Sequence, residues 1–358
     1  MDTWIVTGGA GFVGANLVRA LRGEDRVRVV TLDLLTYAGD RERLAALAGD
    51  RDHVFVEGDV ADAGLVGRLL EEHRPTAVLH LAAETHVDRS IDGPEAFVRV
   101  NTEGTLRLLM AVCGWWRALP AVERAGFRFL HAGTDEVFGA LGPTGRFTEA
   151  SPYAPRSPYA ASKAGADHLV RAWHATFGLP TLLTNGSNIY GPWQLPEKLI
   201  PLLLLKALAG EPMPLYGDGG QVRDWMHVDD HVAALIRVVE RGAPGTSYLL
   251  GGGGERTNLQ LAHALCASLD TLRPAGAPHA RLIRHVPDRP GHDRRYAVDA
   301  ARLADELGWK PRRSFDEGLR SCVAWMLEHR GWLEAIARRD GVGRRLGLDV
   351  APRAGGRA

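Results

Sequence analysis

A hydroxyl followed at once by two carboxylates, Thr134-Asp135-Glu136, is one group in this chain suited to moving protons; a phenol four residues ahead of an ammonium, Tyr159 and Lys163, is the other. Adjacent carboxylates in a closed site repel each other's charge. One is pushed to stay protonated as an acid while its neighbour acts as a base. A tyrosine and a lysine at i and i+4 share one face of a helix. There the ammonium favours phenolate, and a second cation nearby would favour it further, which suits the tyrosine to take a proton from an alcohol. Lysine is scarce here: of 43 basic residues only Lys163, Lys198, Lys206 and Lys310 are lysine. The plain alternatives are a polar loop whose Thr134 or Asp135 caps a helix, and a tyrosine and lysine that meet by chance.

Such groups need rigid elements to hold them. Short apolar runs at 4–6, 28–32, 53–56, 77–81 and 127–131 read as strands, and stretches at 16–21, 65–73 and 105–113 carry helical spacing. Strands apolar on both faces, alternating with helices, predict a parallel sheet covered on both sides. The fold class expected is α/β: a Rossmann-type doubly wound parallel sheet with a smaller C-terminal α/β lobe. The run at 127–131 leads directly into Thr134-Asp135-Glu136, so these residues fall at the carboxyl edge of the sheet, where ligands bind. Beyond 185 prolines interrupt the rhythm, leaving one clear helix at 199–209 and strand-like pieces at 223–228 and 247–250. The division expected is a cofactor domain over 1–185 with returning segments near 222–247, and a substrate lobe mainly over 186–332. Arginine and glycine dominate the last residues, which predicts a flexible tail over 333–358.

The first strand enters Thr7-Gly8-Gly9-Ala10-Gly11-Phe12-Val13-Gly14 and then a helix. Glycines so spaced let backbone approach a pyrophosphate and let helix and strand pack closely, while the helix N-terminus offers free N–H groups to the anion. Asp33 ends the next strand, 19 residues past Gly14. A carboxylate there accepts hydrogen bonds from ribose hydroxyls and repels a 2′-phosphate, so the cofactor expected is NAD rather than NADP. Asp59, after the third strand, is placed to meet the adenine.

Composition narrows the rest. Basic and acidic residues balance at 43 each, which argues against a nucleic-acid partner. No run of 18 apolar residues occurs, so no membrane span is expected. The motif beginning by Gly8 leaves no room for a signal peptide. Cys113, Cys266 and Cys322 are widely separated, with no metal-ligand spacing and no disulfide framework. A cytoplasmic protein without a metal site is expected.

These residues resemble the extended short-chain dehydrogenase/reductases and, within that family, the nucleotide-sugar 4,6-dehydratases. The resemblance spans about 3–332. Besides the motifs above it rests on Leu35-Thr36-Tyr37-Ala38-Gly39, the Ala82-Ala83-Glu84-Thr85-His86 run through Ser90, and Pro196-Glu197-Lys198-Leu199. It continues in Val222-Arg223-Asp224-Trp225 and in the segment from Asp288 to Tyr296. Adjacent acids after the threonine separate dehydratases from the related 4-epimerases.

The resemblance implies that Tyr159 takes the C4 hydroxyl proton as hydride leaves for NAD, that Thr134 shares a hydrogen bond with that hydroxyl, and that Lys163 holds the nicotinamide ribose. Glu136 would then remove the C5 proton and Asp135 protonate the departing C6 hydroxyl, with hydride returning to C6. NAD would stay tightly bound. Gly8, Gly11, Phe12, Val13, Gly14, Asp33, Asp59, Val60, Ala82, Ala83, Tyr159, Lys163 and Asn188 would line the cofactor. Thr85, Asn188, Glu197, Lys198, Tyr216, Arg223, Asn258 and Arg289 would bind the nucleotide sugar, expected to be dTDP-glucose. A homodimer is implied, built from the helices near 105–113 and 164–177. Three positions depart from the family pattern: Gly133 stands for serine, Gly186 for cysteine and Ile189 for asparagine. The competing readings are a dehydratase for a UDP-linked hexose, a 4-epimerase, and a non-catalytic NAD-binding scaffold.

Overall fold

Residues 1–288 and 291–339 are described by a computed structural model. Seven parallel strands form its centre, in the order Ser247–Leu250, Thr181–Gly186, Arg128–Thr134, Ala77–His80, Thr3–Thr7, Arg28–Asp33 and His53–Glu57. Side chains alternate between two apolar layers because successive strand residues face opposite ways. Trp4, Val6, Val29 and Leu130 pack on one face against Leu17 and Leu21 of the helix Phe12–Gly23 and Val232 and Leu235 of the helix Val228–Arg241. Ile5, Val30, Val78 and Phe129 pack on the other against the helices Ala63–His73, Gly104–Ala118 and Pro158–Phe177. The doubly wound α/β fold is therefore present.

A separate core gathers Ile200, Leu203, Leu261, Leu265, Phe315, Leu319, Trp193 and Trp332. It is built from the helices Leu199–Ala209, Asn258–Leu272, Phe315–Glu328 and Arg330–Arg339. Two small sheets edge it, one of them the parallel pair Met213–Tyr216 with Ile283–Val286.

Three boundaries differ from the pattern-based expectation. The strand expected at 127–131 runs Arg128–Thr134, because pairing with Thr181–Gly186 continues through Ala132, Gly133 and Thr134 after the other neighbour has stopped at His131. The first helix starts at Phe12, directly after the glycine turn, rather than near 16. The tail expected from 333 is helical to 339, with Trp332, Leu333 and Ile336 buried; apolar residues at helical spacing outweigh the arginines around them. The rest of that expectation, 340–358, lies outside the described residues.

Candidate active site

The first helix begins on Gly11, which offers no side-chain cap. Its leading N–H groups are thus left to an anion. Gly8 sits at φ +70, a conformation that favours glycine, and a Cβ there would lie 2.6 Å from Ala82 N. A Cβ at Gly14 would lie 2.1 Å from Gly8 O, so only glycine lets the helix start this close to the strand. Asp33 accepts from the Ala10 N–H (2.9 Å) and the Leu35 N–H (2.8 Å). Burial raises its pKa despite those two bonds.

A cavity of about 610 Å³ runs from this turn along the carboxyl edge of the sheet. Gly8, Gly11, Phe12, Val13, Gly14, Asp33, Asp59, Val60, Ala82 and Ala83 line one part of it. Thr134, Asp135, Glu136, Tyr159 and Asn188 line it as well. Lys163 is buried behind this wall. A second cavity, of about 920 Å³, shares Glu136, Asn188, Thr85 and Lys198 with the first. Glu197, Tyr216, Arg223 and Asn258 line it. Arg289 lies outside the described residues.

Thr134 ends its strand, and its hydroxyl accepts from the Glu136 N–H (3.3 Å) as the chain turns into the short helix Asp135–Phe138. That is the capping role of the plain alternative, and it leaves the hydroxyl in the cavity wall all the same. Asp135 is buried, and burial followed by the neighbouring Glu136 charge holds its carboxyl well above the usual range. Both causes favour its protonated form. Among the described residues its Oδ2 has no hydrogen-bond partner.

Tyr159 and Lys163 share the helix Pro158–Phe177, which opens with a Ser157 cap onto the Ala160 N–H. The tuning expected between them is corrected by the geometry. Lys163 Nζ donates to Ala132 O (2.8 Å) and lies 3.3 Å from His131 Nε2. Burial lowers its pKa to about 8. The Tyr159 phenol is instead raised by burial and by Glu136, against a smaller lowering effect of Thr134. In the protein alone the phenol is kept protonated.

In the second cavity, Tyr216 donates to Asp88 (3.2 Å), Lys198 Nζ donates to Thr85 O (3.1 Å), and Glu197 sits 3.4 Å from Arg89. Arg223 donates to Asp293 O (2.9 Å) and stacks 4.3 Å over the Tyr296 ring. This holds a planar guanidinium on the cavity wall, where phosphate oxygens are recognised in pairs.

Sequence reasoning missed two supporting groups. Asn101 lies in the π-helical turn Val98–Glu103, donates to Ser162 Oγ (2.9 Å) and Glu84 O (3.0 Å), and accepts from Glu84 N–H (2.8 Å). It ties the Ala82–Ala83 wall to the tyrosine helix. Asp167 accepts from Tyr153 (2.8 Å) and Asn185 (2.8 Å), and Asn185 also donates to Thr134 O (3.2 Å). Asp167 falls one turn beyond Lys163, a spacing that was visible; its partners, distant in sequence, were not. A Cβ at Gly133 would lie 2.7 Å from Asn185 Nδ2, and one at Gly186 would lie 2.6 Å from His231 Cε1. Both departures from the family pattern thus adjoin side chains packed behind the cavity.

The residues present fit a dinucleotide. Glycine backbone and a helix N-terminus meet one end, Asp33 lies near it, and Ser187 Oγ and Asn188 Oδ1 in the cavity wall are buried polar atoms without a partner among the described residues. Sheet, glycine turn and tyrosine–lysine helix together define an extended short-chain dehydrogenase/reductase. A family model described as GDP-mannose 4,6 dehydratase matches residues 5–322, and the chain belongs to that family.

Its relatives are specific. A dTDP-glucose 4,6-dehydratase of Xanthomonas campestris pv. campestris (strain B100) is 57% identical over 339 residues, covering 94% of this chain and 96% of its own. One from Escherichia coli (strain K12) is 47% identical, covering 93% and 94%. The crystal structure of a double mutant of a dTDP-glucose 4,6-dehydratase from Streptomyces venezuelae, with NAD bound, is 44% identical. It superposes with a TM-score of 0.85 over 93% of this chain and 99% of that one.

Proposed function

We propose that this protein is a hydro-lyase that converts dTDP-glucose to dTDP-4-keto-6-deoxyglucose with NAD as a resident cofactor. The observation that carries the reading is the pair of adjacent acids in the wall of the first cavity, Glu136 also lining the second, with burial and the Glu136 charge raising the Asp135 carboxyl. Gly8, Gly11, Phe12, Val13, Gly14, Asp33, Asp59, Val60, Ala82, Ala83 and Asn188 would hold the dinucleotide, with Tyr159 and Lys163 at its reactive end. When bound, NAD would supply a hydride acceptor for C4 and a hydride donor for C6, and its positive charge would favour the Tyr159 phenolate.

The side chains do the proton work. Tyr159 takes the C4 hydroxyl proton while Thr134 orients that hydroxyl. The resulting ketone acidifies the C5 hydrogen, which Glu136 removes. Asp135 gives its proton to the C6 oxygen and water leaves; a proton returns to C5 when hydride is added at C6, which completes the 4-keto-6-deoxy product. Arg223 grips the diphosphate, with Asn188, Lys198 and Asn258 around it, Tyr216 toward the base, and Thr85 and Glu197 toward the sugar; the resemblance assigns Arg289 to the same task. Residues 1–185, with segments near 222–247, would serve the cofactor and 186–332 the nucleotide sugar.

Exposed Met110 lies on the helix near 105–113 expected to form a homodimer, with exposed Val98 in the adjoining π-helical turn, and we assign the contact there. Among the described residues no helix is long and apolar enough to cross a membrane, and the three cysteines are free thiols. Free thiols suit a reducing compartment, which supports a cytoplasmic location. Incubation with dTDP-, UDP- and GDP-hexoses, read by mass, tests the substrate. Loss of one water from dTDP-glucose is expected; water loss from UDP-glucose in preference, or epimerisation without water loss, would overturn the reading.

A further inference from the structure

The loop at 34–40 walls both cavities. Leu34, Thr36, Ala38 and Gly39 face the first, and Tyr37 faces the second. It is not a relaxed turn: Leu35 sits at φ +54, a conformation that non-glycine side chains rarely adopt. Something outside the loop must hold it. Arg43, wholly buried, donates to Ala10 O (2.7 Å) and Ala38 O (2.6 Å), which stitches the loop to the glycine turn. The Asp40 N–H donates to the same Ala10 O (3.0 Å).

The outer side of this stitch is the last described helix, Arg330–Arg339. Trp332 Nε1 donates to Asp40 Oδ2 (2.7 Å), the Arg43 guanidinium lies 5.4 Å from the Trp332 ring, and Arg339 donates to Tyr37 O (2.8 Å). The helix is anchored in the substrate-lobe core by Trp332, Leu333 and Ile336. A segment far along the chain therefore fixes a strained loop beside the phosphate-binding turn. We propose that the helix Arg330–Arg339 is a latch that holds the 34–40 loop against the cofactor cleft, so that retention of NAD between turnovers depends on Trp332 and Arg339.

The latch rests on the reading of that cleft as an NAD site, and the two are separable by experiment. The purified full-length protein is first denatured and its released NAD measured; a protein that binds no NAD would refute the cofactor reading. Bound NAD is then chased with excess NADH, and its replacement is followed by NADH fluorescence. W332F keeps an aromatic ring but loses the indole N–H together with part of the buried ring, and R339A alters an exposed side chain. Exchange at least fivefold faster in the combined W332F/R339A variant and at least twofold faster in R339A is expected. R339K, which keeps a donor, should stay within twofold of the parent. W325F perturbs the same aromatic cluster without a bond to the loop, and it should exchange as the parent does. Unchanged exchange in R339A, or equal acceleration in W325F, would overturn the latch while leaving NAD binding intact.

Discussion

At the scale of single residues, the acid–base set divides by burial and charge. Asp135 is driven to its protonated form and Lys163 is held near its point of neutralisation, both by desolvation. Tyr159→Phe removes the proton acceptor and should slow turnover about a thousandfold, within the range of general acid–base catalysis, in a steady-state assay. Glu136→Gln should let the first oxidation proceed and block elimination, so reduced-nicotinamide absorbance should accumulate; parental turnover would remove Glu136 as the C5 base. The pH profile has a definite sign. Lys163 is charged below about pH 8 and neutral above it, and Asp135 can only lose its proton as pH rises. In the proposed roles Lys163 donates to the nicotinamide ribose as an ammonium and Asp135 gives up a proton. Both changes therefore weaken catalysis, and the rate should fall on the alkaline side, beginning near pH 8 rather than in the ordinary lysine range. A rate that kept climbing through pH 9 would contradict the role of the Lys163 charge.

Elements explain which parts of the site were legible beforehand. The glycine turn, Asp33, the Thr134-Asp135-Glu136 run and the tyrosine–lysine pair each lie within one strand–turn or one helix, so local spacing announces them. Their meeting in one cleft follows from a parallel sheet whose strand ends share an edge. Asn101, Asp167 and the Arg43–Trp332 stack escaped notice because their partners lie far away in sequence. The Lys163–Tyr159 tuning was misread for a related reason: spacing puts both on one face, but Ala132 O and His131 come from a separate strand and engage the ammonium. The tightest element contact, Gly14 against Gly8 O, carries its own expectation. Gly14→Ala must push backbone apart, costing about 2 kcal/mol in thermal or urea unfolding, and should weaken NAD binding as well.

The whole molecule joins two cores through one cleft, and its neutral charge hides a small anionic partner rather than excluding one. The sheet core holds the dinucleotide turn, the second core brings Arg223 and Lys198, and the last described helix ties the two together through Asp40 and Tyr37. An assembly through the exposed Val98 and Met110 face makes a prediction at this scale. Met110→Arg should convert a dimer to a monomer in analytical ultracentrifugation without unfolding it; an unchanged sedimentation coefficient would place the contact elsewhere. The reaction couples internal return of hydride to loss of water. Incubation with dTDP-glucose carrying deuterium at C4 should give a 4-keto product that has lost one water and carries the deuterium at C6. A product that retains every oxygen, or one whose C6 lacks the label, would contradict it.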